Sequence, residues 1–263
     1  MTRPTAADSP PPPPLKLLSF NIQVGLHTER YRHYLTRAWR HALPGRGQHA
    51  ALDEIAALIR GHDFVAIQEA DAGSFRTGFV DQMAYLAEAA GFPQHGLAVT
   101  RDFKPFARHA LGWLSRWPAR VIDEHALPGP IRGRRALQLE LAPPDDAARR
   151  LEVFVTHLSL GRRAQDRQLD YLVERARGDA PSVIVGDLNA EAERLRAHPA
   201  LKAAGFWLPD STPATFPSWA PTRSIDHILL SPELGLNRLG TLPAARSDHL
   251  PLSAEIALPA APR

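Results

Sequence analysis

Short apolar runs recur along this chain, and one after another meets an acid, an amide or an imidazole at its end. Ser19-Phe20-Asn21 closes the first, and Ile67-Gln68-Glu69 and Val155-Thr156-His157 close two more. Val185 leads into Gly186-Asp187-Leu188-Asn189, Ile225 opens a run through Asp226 and His227, and Ser247-Asp248-His249 stands just before the last. Runs this short without polar alternation read as strands buried on both faces, which confines the chain to layered α/β architectures. Polar groups at the ends of such strands converge where sheet edges meet, and sites form there in layered folds.

The segments between these runs fill in the layers. Leu15–Ile22 and Phe64–Gln68 have strand character, and Gln48–Arg60 carries helical spacing at Leu52, Ile55 and Ile59. Thr77–Ala90 reads as a helix stopped by Gly91. Gly96–Thr100, Leu111–Leu114, Arg120–Leu127 and Arg135–Leu141 follow as strands separated by turns rich in Pro, Gly and Arg, with Asp145–Arg150 as a polar hairpin turn before a strand at Leu151–Leu158. Gln165–Arg177 is helical, Ser182–Val185 a buried strand, Glu193–Ala204 a helix closed by Gly205, and Ile225–Leu230 and Leu252–Ile256 the final strands. This order predicts two sheets packed face to face with helices outside. Residues 15–259 are expected to form one domain, without internal repeats. Residues 1–14, rich in proline, are expected to be a disordered or polyproline II tail, without the apolar stretch of a secretory signal.

Composition limits the chemistry. The chain of 263 residues contains no cysteine, which excludes disulfides, thiolate metal sites and cysteine nucleophiles. Any metal is therefore held by carboxylate, amide oxygen or imidazole. The net charge is +3, and the basic excess is arginine, with lysine only at Lys16, Lys104 and Lys202. Such a balance suits anionic partners: nucleic acid, phosphorylated small molecules or acidic lipid. No apolar run of about 18 residues predicts a transmembrane helix, so a cytoplasmic location is expected.

Taken singly, each polar strand end has an ordinary structural reading as a turn, a helix cap or a packed histidine. The ordered set is more specific. Ser19-Phe20-Asn21, Ile67-Gln68-Glu69, Leu114-Ser115-Arg116, Thr156-His157-Leu158, Gly186-Asp187-Leu188-Asn189, Thr215-Phe216-Pro217, Ile225-Asp226-His227 and Ser247-Asp248-His249-Leu250-Pro251 together resemble the endonuclease/exonuclease/phosphatase superfamily. The resemblance runs from about Leu15 to Ile256. It implies a deoxyribonuclease-like four-layer α/β sandwich, two mixed β-sheets face to face with helices outside, and one active site at the sheet edges.

The resemblance also implies roles. Glu69, Asn21 and Asp248 match ligands of a hard cation, Mg²⁺ or Mn²⁺, which oxygen donors suit. Asp187 is expected to orient the attacking water or to hold a second metal, and Asn189 to contact a phosphate oxygen. His249 is expected to act as general base or cationic clamp, with Asp226 fixing its tautomer. His157 reads as a phosphate contact or leaving-group acid. Arg76, just past Glu69, sits either in a solvated loop or against the substrate's phosphate, and Thr215 is weighed in the same way. His109 stands where many relatives carry asparagine, and His227 where they often carry tyrosine; His227 is expected to be structural.

The implied activity is metal-dependent hydrolysis of phosphate esters, most simply of a small or lipid-derived phosphodiester. DNA or RNA is the alternative substrate. A non-catalytic binding module on the same fold is a third reading, disfavoured because the whole polar set is intact.

Overall fold

The computed structural model describes residues 13–23, 48–130, 132–144, 146, 149–243 and 246–259. The expected tail therefore lies, up to residue 12, outside the described residues. Among the described residues eleven strands form two sheets. The first orders β10 (Gly235–Thr241), β11 (Leu252–Ala257), β1 (Leu15–Asn21), β2 (Phe64–Asp71), β4 (Ala107–Ser115) and β3 (Gln94–Phe103). The second orders β5 (Ala119–Ala126), β6 (Arg135–Leu141), β7 (Leu151–His157), β8 (Ser182–Asp187) and β9 (Asp226–Leu230). Both are mixed: β1 runs parallel to β2 and β7 parallel to β8, while the remaining pairings are antiparallel.

Side-chain parity builds the layers. In β1, Leu15 and Leu17 enter the core between the sheets, whereas Leu18 and Phe20 pack outward. In β2, Phe64 and Ala66 face inward and Val65 and Ile67 outward. Outward residues of the first sheet meet α1 (Gln48–Ile59) and α2 (Gln82–Ala90) through Leu52, Ile55, Met83 and Leu86. Phe154 and Ile184 of the second sheet pack outward against α3 (Arg162–Arg175) at Leu169 and Leu172. They share that layer with α4 (Ala192–Ala197) and α5 (Pro199–Ala203). Because both strand faces are covered, these strands read as continuous apolar runs. The result is the four-layer sandwich.

Three expectations shift. The helix expected over Thr77–Ala90 begins at Gln82, since Gly78 is left-handed at φ 58° and Asp81 caps α2 by accepting from Met83 N and Ala84 N. Phe75–Thr77 is instead one turn of 3₁₀ helix. The helix expected over Glu193–Ala204 divides at His198, because the residue before a proline avoids the α region; His198 takes ψ 123° and Pro199 begins α5. Strand β10 was not foreseen. Its partial burial and the irregular pairing between Leu236 and Arg238 erase the period-two pattern.

Arg116 ties the helices to the first sheet. Its guanidinium donates to the carbonyls of His62, Gly91, Arg60 and Ala90 and stacks 4.5 Å over the Phe92 ring. It satisfies carbonyls at two helix ends at once, so the Ser115-Arg116 element of the sequence set is structural.

Candidate active site

The strand ends carry the same parity upward. Val153 and Val155 face the inter-sheet core, and two residues further His157 shares their side. Asp187 follows Val183 and Val185, Asp226 precedes Ile228 and Leu230, and Asn21 follows Leu15 and Leu17 in the same way. The polar residues are thus the top layer of the central core, where the apolar filling stops. Register places His157 opposite Asp187, and Asp187 opposite Asp226.

Glu69 breaks parity. Alternation would put it on the helix side with Ile67, yet it lines the cleft with its carboxylate 3.9 Å from His157 Nδ1. The pairing of β2 with β4 is irregular between Ile67 and Ala70, and Glu69 lies at φ 57°. A β-bulge of this kind re-aims a side chain.

Gly186 sets the height of Asp187. At φ 144° it lets β8 approach β7 so closely that a Cβ would lie 1.9 Å from Thr156 O. No other residue fits there.

A chain of hydrogen bonds and charge contacts crosses the top of the core. Thr215 Oγ1 donates to Asp226 Oδ2 at 2.6 Å, and the same oxygen meets His249 Nδ1 at 2.8 Å. His249 Nε2 then lies 3.8 Å from Asp187 Oδ2. That oxygen also meets Asn21 Nδ2 at 3.2 Å and His157 Nε2 at 3.4 Å, while Asp187 Oδ1 accepts from Asn189 N at 3.0 Å. Asn189 Nδ2 donates to Leu158 O. Thr215 is fully buried. Its hydroxyl orients Asp226, which replaces the substrate contact expected of it. Phe216 packs on the His249 ring, and Ser218 and Leu250 bind the two loops together through Ser218 N to Asp248 O and Leu250 N to Thr215 O.

Charge states follow from burial and neighbours. Burial opposes the charged form of His249, but Asp226, Asp187 and Asp248 outweigh it and raise its pKa to about 10. Burial lifts Asp187 to about 7, reinforced by Asp226 and Glu69 and opposed by His249. Burial likewise lifts Asp248 to about 6, with Glu69 adding to it. His157 is held well below its ordinary value, first by burial and then by Arg134 and His249. Near neutrality the site therefore holds an imidazolium at 249, a neutral imidazole at 157 and carboxylates that repel one another.

Which oxygens would hold a cation is a geometric question. Among the described residues, Asp187, Asp226 and His249 bring ligand atoms within 4.8 Å of one another. That trio differs from the expected Glu69, Asn21 and Asp248. Within that trio His249 Nδ1 and Asp226 Oδ2 already meet each other, and Thr215 donates to the same oxygen, whereas Asp226 Oδ1 has no partner among the described residues. Glu69 keeps a third of its side chain exposed at the cleft. Its repulsion of both Asp187 and Asp248 is what a divalent cation would relieve. The oxygen-only donor set fits a hard cation.

Residues outside the expected set complete the site. Gln23 bridges two of the expected ligands, with its N donating to Asn21 Oδ1 at 3.1 Å and its Nε2 to Asp248 Oδ2 at 3.2 Å. Ser247 Oγ donates to Asn21 O at 2.6 Å, locking the His249 loop to β1. Gln165 Nε2 holds Ser159 O and Asn189 O, each at 2.8 Å. Only the position of Gln23, two residues past Asn21, could have signalled its role. His227 is buried and its Nε2 donates to the carbonyls of Ala190 and Ser224, consistent with a structural part.

Arg76 is not in a solvated loop. It is 7% exposed, and its Nε binds Asp71 Oδ2 at 2.7 Å. Asp71 also accepts from Ser74, Thr77 and Arg108 N. The Arg76 side chain lines a cavity of about 380 Å³ beside Glu69 and His157.

The model of the Endonuclease/Exonuclease/phosphatase family matches residues 18–249. No curated protein matches the chain. Among solved structures, an endonuclease/exonuclease/phosphatase from Beutenbergia cavernae aligns with a TM-score of 0.72 at 20% identity, covering 95% of this chain and 73% of that one. The mannosyl-6-phosphatase Bt3783 of Bacteroides thetaiotaomicron aligns at 0.63 with 19% identity, covering 92% and 99%. Truncated Caenorhabditis elegans TDP2 aligns at 0.59 with 16% identity, covering 92% and 97%. At such identities the likeness concerns the fold. Among the described residues no helix is long and apolar enough to cross a membrane.

Proposed function

Because the chain belongs to the endonuclease/exonuclease/phosphatase family, whose members hydrolyse phosphate esters, we propose that it is a Mg²⁺- or Mn²⁺-dependent phosphodiesterase working by in-line attack of water. The observation that carries this reading is the chain Thr215–Asp226–His249–Asp187, with Glu69 facing it across His157. One protein of similar fold, Bt3783, is a mannosyl-6-phosphatase.

Glu69, Asn21 and Asp248 would hold the cation, which when bound supplies charge neutralisation at the phosphate. Asp187, lifted to about 7, accepts the proton of the attacking water; a base works best when its pKa lies near the operating pH. Asn189 N steadies Asp187 Oδ1, while Oδ2, the accepting oxygen, faces Asn21, His157 and His249. His249, charged and oriented by Asp226, donates from Nε2 to a phosphate oxygen and stabilises charge as it builds. This assigns His249 to the clamp and Asp187 to the base. His157, kept neutral, is free to contact the phosphate or the leaving oxygen.

The test is a panel with Mg²⁺ or Mn²⁺: bis(4-nitrophenyl) phosphate, plasmid, abasic duplex, RNA and sphingomyelin. Turnover of at least one, lost with EDTA and in Glu69→Ala, is expected. Inertness toward all of them with either metal would overturn the hydrolase reading. Cleavage of nucleic acid alone would exchange the small or lipid-derived phosphodiester for DNA or RNA.

A further inference from the structure

The cavity beside Glu69 has an unusual lining. Arg76, Arg101, Arg134 and Arg135 contribute to it with His109 and Thr100, and Glu69 is the one carboxylate among the lining residues. His157 and Glu69 form its border with the reaction centre, whereas Asp187, Asn189, Asp226, Asp248 and His249 are not part of the lining. It is therefore a recess adjoining the chemistry, distinct from the seat of the scissile phosphate.

Its guanidinium groups are poorly compensated. The Arg101 guanidinium makes no hydrogen bond or ion pair with any described residue, and that of Arg134 reaches only the carbonyl of His157, at 3.3 Å. Arg135 has Glu124 at 3.7 Å. Arg76 is anchored through Nε, but its buried Nη2 has no partner among the described residues, nor has Arg134 Nε. Burial and the neighbouring Arg101 push the Arg134 pKa down, against the pull of Asp187 and Glu69. Burial, with Arg76 next, holds His109 at about 4, so the imidazole is neutral. Half-buried cations set against one another are costly unless something anionic joins them.

The chain takes trouble to assemble this group. Gly133, at φ 93°, lets the turn between β5 and β6 lie on β3, where a Cβ would come 2.3 Å from Thr100 O. That contact brings Arg134 from one sheet beside Arg101 from the other. Several guanidinium forks lining one recess match the oxygens of a phosphate.

We infer that this recess receives a second phosphate of the substrate, adjacent to the one hydrolysed, held by Arg76, Arg101 and Arg134. The inference rests on the hydrolase reading above for the word substrate, but the anion site stands on its own geometry. The second phosphate has two sources, a terminal phosphate on a small molecule or an internal phosphate of a nucleic acid strand.

Two measurements test it. Calorimetry on the full chain in EDTA, with inorganic pyrophosphate as probe, should register binding that weakens about tenfold or more in Arg101→Ala and in Arg134→Gln, and largely returns in Arg101→Lys. No binding to the wild type, or equal binding in all forms, overturns the recess. The second compares kcat/KM for 4-nitrophenyl thymidine 3′-phosphate with its 5′-phosphorylated form and with a thymidine dinucleotide ester carrying an internal phosphate. A gain of about tenfold for one of these, abolished in Arg101→Ala, supports the inference and identifies the source. Equal kcat/KM for all three overturns it. If no ester is hydrolysed while pyrophosphate binding keeps its arginine dependence, the hydrolase reading fails and the anion recess stands.

Discussion

The two halves of the cleft are built on opposite plans. On the side of the second sheet, Asp226 Oδ2 accepts from Thr215 and His249, Asp187 is met by Asn21, His157, His249 and Asn189, and each group is held by another. On the side of β3, β4 and the β5–β6 turn, Arg76, Arg101 and Arg134 line a recess, and their guanidinium groups have few partners among the described residues. The first plan preorganises charge for a reaction. The second leaves donors for something that arrives. Changes in the first half should therefore act on turnover and on proton equilibria, and changes in the second on binding.

The largest expected effect is that of His249→Ala, which should lower kcat about 10²-fold or more through loss of a donor to the developing charge, measured on whichever ester the panel identifies. Turnover near that of wild type would erase the contrast between the halves. Some loss of stability should accompany it, because Asp226 would then sit buried beside no cation.

Asp226→Asn probes the same half more finely. The raised pKa of His249, about 10, depends first on Asp226 among the groups that raise it, so the variant's imidazole should titrate closer to 6.5 by NMR. The sign follows from linkage: a folded pKa above the unfolded one contributes stability below pH 6.5 that is lost as pH rises toward 10. Denaturant midpoints of wild type should fall over that window, and those of the variant should fall less. Parallel curves would mean that Asp226 is not what charges His249.

Gly186→Ala should destabilise the fold by about 1–3 kcal/mol through backbone strain, more if Thr156 cannot withdraw. Urea unfolding measures it, and an unchanged midpoint would show that Asp187 does not need that close approach.

The smallest effect comes from the arginine side. His109 is held at about 4, so between pH 6.5 and 4 the unfolded chain binds a proton that the folded one refuses. Stability should decline as pH falls through that window, and less steeply in His109→Gln. A decline of the same slope in both would place the acid sensitivity elsewhere.

The two halves also differ in how far the sequence reveals them. The acid, amide and imidazole half comes from strand ends, where an apolar run locates each residue: Asn21, His157, Asp187 and Asp226 can be placed by counting in twos from Leu17, Val155, Val185 and Ile228. The arginine half has no such index. Arg101, Arg134 and His109 come from two strands and a turn, and each alone looks like a solvated cation or a strand residue in the sequence. The pairing of β3 with β4 sets Arg101 opposite His109, and the closure of Gly133 on Thr100 adds Arg134. Similar reasons account for the fold. Leu52, Ile55 and Ile59 announce α1 because one face is wholly buried, whereas β10, half exposed and irregular, leaves no periodic trace. Thr215 was legible as part of the set but not in its task, since nothing in a Thr-Phe-Pro element says that the hydroxyl turns inward to Asp226.

The bulge at Glu69 has a consequence of phase. Before it, β2 keeps time with the inner core at Phe64 and Ala66; after it, Ala70 lies on the helix side, one beat displaced. Two packing frames therefore meet at a single residue, and each is pinned by its own neighbours. Losing one residue there would turn Ala70 and Asp71 over, carrying the anchor of Arg76 to the wrong face while leaving β1 untouched. The joint that lets one carboxylate into the cleft is thus also the point at which the reaction centre and the arginine recess are kept in step.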